Sequence, residues 1–126
     1  MEQPPRDLKK RTKQFAFRII KLYAALPKTT VPQVIGRELL RSGTGVGANF
    51  REAQRSRSKA EYAAKLNIGL MELEESAYWL ELLDEGMVAP SLKHEISSLQ
   101  LEAGELSAIF VTFIKLCRKG AETQNK

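Results

Sequence analysis

The sequence predicts an all-α fold, an antiparallel up-down-up-down bundle of four long helices. Four segments carry apolar residues at the three- and four-residue spacing of an amphipathic helix, and no segment alternates with the period of two that marks a strand. The breaks between the segments are short and contain proline, glycine or serine, which favours antiparallel neighbours. The 126 residues, of which 43% are hydrophobic, are expected to form a single domain, residues 1–126.

The first two helices are predicted at residues 7–26 and 31–55. Pro27 ends the first, whose regularly spaced apolar residues are Leu8, Phe15, Ile19, Leu22 and Leu26. The second follows Thr30, a candidate N-cap, and its predicted inner stripe is Val31, Ile35, Leu39, Ser42, Val46, Asn49 and Ala53. Glycines 43, 45 and 47 allow a break there, since each weakens a helix by about 1 kcal/mol. A continuous helix is preferred, because Gly43 and Gly47 lie one turn apart and would let a neighbouring helix approach closely.

The other two helices are predicted at residues 59–85 and 92–119. Ser58 followed by Glu61 is typical of a capping box, which starts the third helix. Its predicted inner stripe is Tyr62, Leu66, Gly69, Leu73, Ser76, Leu80 and Leu83. Gly86 is expected to end the third helix and Gly120 the fourth, with a frayed polar tail after it. The inner stripe of the fourth is Leu92, Ile96, Leu99, Ala103, Leu106, Phe110, Phe113 and Cys117.

A second apolar stripe on the third helix predicts self-association. A bundle helix in a monomer needs only one buried face, so a second apolar face is expected to be covered by another copy. The alternative is that this helix is simply central in its own bundle. Apolar residues also lie on the outer side of the first helix. The predicted oligomer interface residues are Phe17, Ile20, Ala64, Ile68, Met71, Trp79 and Leu82.

The charge is unevenly distributed along the chain. The net charge is +5, but residues 1–60 hold 14 Lys/Arg and 4 Asp/Glu, whereas residues 61–126 hold 6 and 11. This asymmetry indicates either an anionic partner for the basic half or attraction between the two halves, within a subunit or between subunits. A ridge about 27 Å long, from Arg37 to Arg55, faces away from the inner stripe of the second helix.

Basic residues at this spacing predict contact with the phosphate backbone of a nucleic acid, RNA or DNA. The alternatives are a solvated face or pairing with acidic residues of a neighbour. No aromatic residues are interleaved for stacking, so base reading is not expected. The predicted nucleic-acid-binding residues are Arg37, Arg41, Arg51, Arg55, Arg57, Lys59, Lys10 and Lys13.

No constellation of residues predicts catalysis, a cofactor or a metal site. His94 is the only histidine and has no arranged nucleophile partner, and Cys117 lies on a core stripe. One histidine and one cysteine cannot supply the usual ligands of an N/S metal site. No apolar run approaches the roughly 20 residues needed to span a bilayer, and a single cysteine fits a reducing compartment. The protein is therefore expected to be a non-enzymatic, cytoplasmic protein.

Two stretches of the chain resemble a known family. Residues 41–53 read Arg-Ser-Gly-Thr-Gly-Val-Gly-Ala-Asn-Phe-Arg-Glu-Ala, and residues 74–83 read Glu-Glu-Ser-Ala-Tyr-Trp-Leu-Glu-Leu-Leu. This pattern is similar to that of the bacterial four-helix bundle proteins encoded in intervening sequences of 23S ribosomal RNA genes. The resemblance covers residues 7–119. It implies packing and polar-network roles for Ser42, Asn49 and Glu52, and it transfers no catalytic residue.

The resemblance also implies an assembly and a class of partner. It implies a ring-like homo-oligomer of five subunits, and kinship with the accessory protein of diversity-generating retroelements. That relative binds nucleic acid and partners a reverse transcriptase. Two functions therefore compete for this chain. One is a nucleic-acid-binding oligomer, and the other is a protein-interaction scaffold whose arginines pair with Glu72, Glu75 or Glu81 across subunits.

Overall fold

The computed structural model describes residues 7–124, with side chains for residues 7–120, and shows only helices and turns in that range. The helices are α1 (Leu8–Ala25), α2 (Thr30–Ala53), α3 (Lys59–Glu85) and α4 (Lys93–Gln124), with a 3₁₀ turn at Pro90–Leu92 before α4. α2 packs against α1 and α3, and α4 packs extensively on α3 and more sparsely on α1. The chain is a four-helix bundle in which α1 and α3 lie diagonally opposite each other.

The helix ends differ from the predicted ones chiefly at α4. The predicted helix ends at residue 119, but α4 continues through Gly120 to Gln124. Gly120 does not end the helix, and its missing side chain instead leaves room for a neighbouring side chain. A Cβ at this position would lie 2.9 Å from Cδ of Lys59. At α3 the predicted boundaries are confirmed, since Ser58 Oγ accepts a hydrogen bond from the Glu61 amide at 3.1 Å and Gly86 is the C-cap.

The buried faces of α1, α3 and α4 follow the predicted stripes, except that on α4 Leu92 and Phe113 are only partly buried and Ile114 is buried in addition. All five predicted residues of α1 are buried, and on α3 only Tyr62 is partly exposed. The predicted stripe of α2 was wrong at its first residue, because Val31 is 54% exposed. Since α2 packs between α1 and α3, its buried arc is wider than one stripe, and the residues buried in addition are Pro32, Gly36, Gly43, Gly47 and Phe50.

Glycines on α2 allow α1 to pack closely against it. A Cβ on Gly43 would lie 2.8 Å from Cγ1 of Ile19, and one on Gly47 would lie 3.3 Å from Oγ1 of Thr12. The helix runs without a break through residues 43–47. The predicted continuous helix with a close neighbour is therefore confirmed.

Two glycines of the α3–α4 pair are expected to respond to alanine in opposite directions. The new methyl group of Gly69→Ala would lie 2.8 Å from Cε2 of the buried Phe110 ring, so overpacking should destabilise the fold by about 1–3 kcal/mol. No heavy atom lies within 4 Å of a Cβ at Gly104, so Gly104→Ala should stabilise α4 by about 1 kcal/mol. Urea unfolding at one fixed protein concentration measures both changes. Stabilisation by Gly69→Ala would contradict the close contact with Phe110.

Polar contacts join α1 to α4. Arg11 binds Glu102 through two nitrogens, at 2.7 and 3.2 Å, and its Nη2 lies 3.5 Å from Glu105. Arg18 Nε lies 3.0 Å from Glu95, and Arg18 also donates to Ser98 at 2.6 Å. The hydrogen bond to Glu102 raises the pKa of Arg11 further above its ordinary value. These pairs join the two neighbouring helices of the bundle that pack most sparsely against each other.

Candidate nucleic-acid interface

At one position along the bundle axis, which we call the central level, residues of all four helices are in contact. Gly47 of α2 lies against Thr12 of α1, and Gly69 of α3 lies against Phe110 of α4. The rings of Phe50 and Phe110 join α2 to α4, with centroids 6.2 Å apart. This level divides the described side chains into two ends. Residues 7–12, 47–69 and 110–120 form what we call the basic end, and residues 13–46 and 70–109 form the acidic end.

Charge is separated along the bundle axis. The described residues of the basic end include eleven Lys/Arg and three Asp/Glu, a formal charge of +8, and one of these cations, Arg11, pairs with Glu102 of the acidic end. Those of the acidic end include seven Lys/Arg and ten Asp/Glu, a formal charge of −3. The sequence places the excess of positive charge in its first sixty residues, but the fold redistributes it. The N-terminus of α1, the α2–α3 turn and the C-terminal part of α4 all contribute cations to one end.

Four of the predicted nucleic-acid-binding residues lie on the basic end with exposed side chains. Arg51, Arg55 and Arg57 are exposed, and so is Lys10 on α1. Within the part of the chain that the structure describes, none of the four makes an ion pair. Arg51 lies in the last turn of α2, and Arg55 lies in the turn two residues after the helix ends. An anionic ligand could therefore reach these cations without breaking an existing contact.

Lys59 also belongs to the basic end, but its side chain packs against α4. Its Nζ lies 3.0 Å from the position that a Cβ of Gly120 would occupy. Burial raises the pKa of the Cys117 thiol, and the positive charge of Lys59 opposes this rise only in part. Burial also raises the pKa of Tyr62 to about 12. Both groups are therefore protonated near neutral pH, and neither is activated as a nucleophile.

Arg37 and Arg41 lie on the acidic end, so the predicted ridge is divided. Arg41 is half-exposed and forms ion pairs within its own chain, to Glu75, to Glu72 at 3.6 Å and to Glu38 at 3.5 Å. Trp79 Nε1 donates to the same Glu75 carboxylate at 3.0 Å. Arg37 is exposed and makes no ion pair within the described residues. The attraction between the basic and acidic halves that the sequence left open exists here within one subunit.

Small residues of α2 make room for this polar cluster. A Cβ on Gly45 would lie 2.8 Å from Oε2 of Glu72. The pKa of Glu72 is raised by burial, and the nearby charge of Arg41 opposes this rise only in part. Below the cluster, the buried hydroxyls of Ser42 and Ser76 lie 2.9 Å apart.

The three motif positions implied by the family resemblance differ in environment. Ser42 is fully buried between α2 and α3. The Asn49 amide donates to the Gly45 carbonyl at 2.8 Å. Glu52 is exposed and forms an ion pair at 3.9 Å with Lys65 of α3, which fits a polar contact between the two helices and not a buried packing position.

The residues predicted to form the oligomer interface lie in two separate patches. Phe17 and Ile20 are exposed on α1 and form the α1 patch, and Lys13 lies over the Phe17 ring at 5.8 Å. The α3 patch consists of exposed Ala64, Ile68 and Met71 together with Tyr78, whose ring lies 5.2 Å from that of Trp79. Trp79 and Leu82 are only partly buried. Because α1 and α3 are diagonal neighbours, the two patches face opposite sides of the bundle.

Sequence reasoning missed the contribution of α4 to the basic end. Lys115 and Arg118 are exposed there, beyond the level of Phe110. No local signal identifies them, because three cations in ten residues of a helix are also typical of a solvated face. Only the packing of α4 against α3 brings them to the same end as the α2–α3 turn.

Other features of the described residues carry no chemistry. No group of three or more potential metal ligands exists among them, and none of their helices is long and apolar enough to cross a membrane. His94 is exposed at the start of α4. One groove lies beside the α3–α4 turn and is lined mostly by apolar side chains. A second lies between α1 and α4, and the charged side chains of Arg18, Lys21 and Glu95 are part of its lining.

Comparison with known proteins agrees with this architecture. The family model described as 23S rRNA-intervening sequence protein matches residues 6–112. A solved structure from Bacteroides thetaiotaomicron, a protein of unknown function from the S23 ribosomal protein family, superposes with a TM-score of 0.76. It shares 35% sequence identity, and the match covers 86% of this chain and 98% of that one. No curated protein matches.

Proposed function

Since the chain belongs to the 23S rRNA-intervening sequence protein family, we propose that it is a non-enzymatic homo-oligomer that binds nucleic acid, RNA in particular, through its basic end. The family match confirms the family that residues 41–53 and 74–83 predict. The kinship with retroelement accessory proteins stays a prediction. The observation that carries the proposal is the formal charge of +8 on one end of the bundle. Phosphate contacts supply most of the affinity of non-specific nucleic-acid binding.

The exposed cations of the basic end suit this role. Arg51, Arg55 and Arg57 are held at the end of α2 and in the short α2–α3 turn, so their backbone positions are fixed by the bundle. Arginine presents several N–H donors in a planar fork that matches phosphate oxygens. An ion pair within the subunit would compete with such contacts, and among the described residues these three arginines have none.

The proposed assembly is a ring of antiparallel up-down-up-down bundles. Arg11 pairs with Glu102 and Arg18 pairs with Glu95, so the contacts between α1 and α4 run in opposite directions, as an antiparallel pair requires. The α1 and α3 patches lie on opposite sides of the bundle, and contact between two different faces is heterologous. Heterologous contacts close into rings when the rotation permits. The number five comes from the family resemblance alone.

The two patches also carry complementary charges. Exposed Lys13 and Lys21 flank the α1 patch, and exposed Glu74 and Glu81 flank the α3 patch. Opposite charges around an apolar centre orient two surfaces and suppress wrong pairings. This arrangement supports contact of the α1 patch of one copy with the α3 patch of the next.

Binding is tested by fluorescence anisotropy with labelled RNA and DNA at 50 and 200 mM salt. The oligomer mass is checked by light scattering on the same sample. For four phosphate contacts, the affinity is expected to fall roughly 100-fold between the two salt concentrations, because each contact releases condensed counterions. No binding at 50 mM by a well-formed oligomer would rule out the proposal.

Met71→Glu is expected to dissociate the oligomer into folded monomers. The substitution places a carboxylate in the centre of the α3 patch, where burial of an unpaired charge is strongly unfavourable. Light scattering measures the mass, and circular dichroism confirms that the helices remain. The matched control is Leu101→Glu, since Leu101 is 71% exposed on α4, away from both patches. An unchanged mass for Met71→Glu would exclude the α3 patch from the interface.

A protein-interaction scaffold is the second candidate, and the Arg41 cluster favours it. Arg41 pairs with Glu72 and Glu75 of its own subunit, so protein carboxylates already occupy one of the predicted nucleic-acid-binding arginines. In this case the basic end would bind an acidic partner protein or the neighbouring subunit. Charge reversal at Arg51 separates the candidates. Loss of RNA binding by an intact oligomer favours the first function, and dissociation of the oligomer favours the second.

A further inference from the structure

We infer that the basic end binds double-helical nucleic acid, and that it contacts the phosphate backbone without reading the bases. This inference rests on the proposed function and names the class of ligand for the same surface. Three properties of the described residues of the basic end carry it: their aromatic side chains are not exposed, the α2–α3 connection does not project as a separate element, and their formal charge is +8.

Aromatic side chains of the basic end are not available for stacking. Its described aromatic residues are Phe50, Tyr62, Phe110 and Phe113, which are all buried or partly buried. Among the described residues, the exposed aromatic side chains are Phe17 and Tyr78, and both lie on the acidic end. Proteins that bind single strands without sequence preference gain about 1–3 kcal/mol per base by stacking bases on aromatic rings. This surface lacks that source of affinity for a single strand.

The α2–α3 connection of the basic end offers no element that could enter a groove. Reading bases in the major groove requires a helix or a β-ribbon that projects into it. The α2–α3 connection spans only residues 54–58, and both flanking helices are packed into the bundle. The amides of Asn49 and Asn67 are occupied by contacts within their own helices. The surface is therefore blunt and suited to the outside of a duplex.

Counterion release per phosphate contact favours binding of a duplex over binding of a single strand. Counterion release scales with about 0.9 per phosphate contact for a duplex and about 0.7 for a single strand. For four contacts, the difference corresponds to about sixfold tighter binding of the duplex at 0.1 M salt, if both forms bind equally at 1 M. A single strand cannot offset this difference at the basic end, because none of its described aromatic rings is exposed for stacking.

The inference is tested with the wild-type protein and four fluorescein-labelled probes at 0.1 M salt. The probes are a 20-base-pair RNA duplex, a DNA duplex of the same sequence, an RNA duplex of scrambled sequence, and one unstructured RNA strand of the same length. We expect the duplexes to bind at least about sixfold more tightly than the single strand. The scrambled duplex should bind within twofold of the original. The tighter of the RNA and DNA duplexes identifies the source of the phosphates.

The possible failures are distinct. A single strand that binds as tightly as the duplexes, or a scrambled duplex that binds more than tenfold differently, would overturn the inference but leave nucleic-acid binding intact. No binding of any probe by an oligomer of verified mass would overturn the proposed function itself. Binding to the duplexes with the expected preference supports both.

Discussion

Replacing Arg51 and Arg55 together by glutamine is expected to weaken binding to an RNA duplex by about 60-fold at 0.1 M salt. Each arginine that leaves a phosphate removes about 0.9 from the salt slope, which is about eightfold in affinity at this salt concentration. The slope of log affinity against log salt should therefore become less steep by about 1.8. Anisotropy titrations at four or more salt concentrations measure both the affinity and the slope. Neither arginine has an ion pair among the described residues, so the bundle should keep its stability.

Arg37→Gln is the matched control for this double substitution. Arg37 is also an exposed arginine of α2 without an ion pair among the described residues, but it lies on the acidic end. If the basic end is the binding surface, Arg37→Gln changes the affinity by less than twofold. An equal effect per arginine at residues 37, 51 and 55 would instead support the ridge along the whole of α2 that the sequence predicts.

Phe110→Ala is expected to destabilise the fold by about 3–5 kcal/mol, the usual cost of truncating a fully buried phenylalanine. The Phe110 side chain is 0% exposed and contacts both the Phe50 ring and Gly69. It thus joins α2, α3 and α4 at one level. Its removal leaves a cavity where three helices meet, and a packed bundle can close such a cavity only in part.

Urea unfolding measures this loss, with all variants at the same protein concentration because an oligomer's stability depends on it. Leu101→Ala on the same helix is the control, since a leucine that is 71% exposed loses little on truncation. Its effect should stay within about 0.5 kcal/mol. A change below 1 kcal/mol for Phe110→Ala would contradict the packing of the three helices around its ring.

The positions of the helices could be predicted from the sequence because their signals are local. The capping box at Ser58 and Glu61 marks the start of α3, and the glycine at residue 86 marks its end. Leu66, Leu73 and Leu80 recur at seven-residue intervals, and all three are buried. Such periodicity depends only on which side chains share one helical face.

The same local signals gave wrong predictions where contacts with another helix determine the environment of a residue. Gly120 has the residue type of a helix end, but α4 continues through it and the Lys59 side chain occupies the space beside it. Val31 matches the spacing of the α2 stripe, yet it is exposed. Glycines and helix-terminal residues are ambiguous in sequence, since a missing Cβ permits both a chain reversal and a close approach.

By itself, the sequence determined four helices, their buried faces and an excess of basic residues in the first half of the chain. Only the tertiary structure decided where that charge lies. It pairs Arg41 with Glu72 and Glu75, leaves Arg51 and Arg55 free of ion pairs among the described residues, and adds Arg118 of α4 to the same end. The physical reason is that periodicity is a property of each helix, whereas the charge at one end of a bundle depends on the direction and packing of all four.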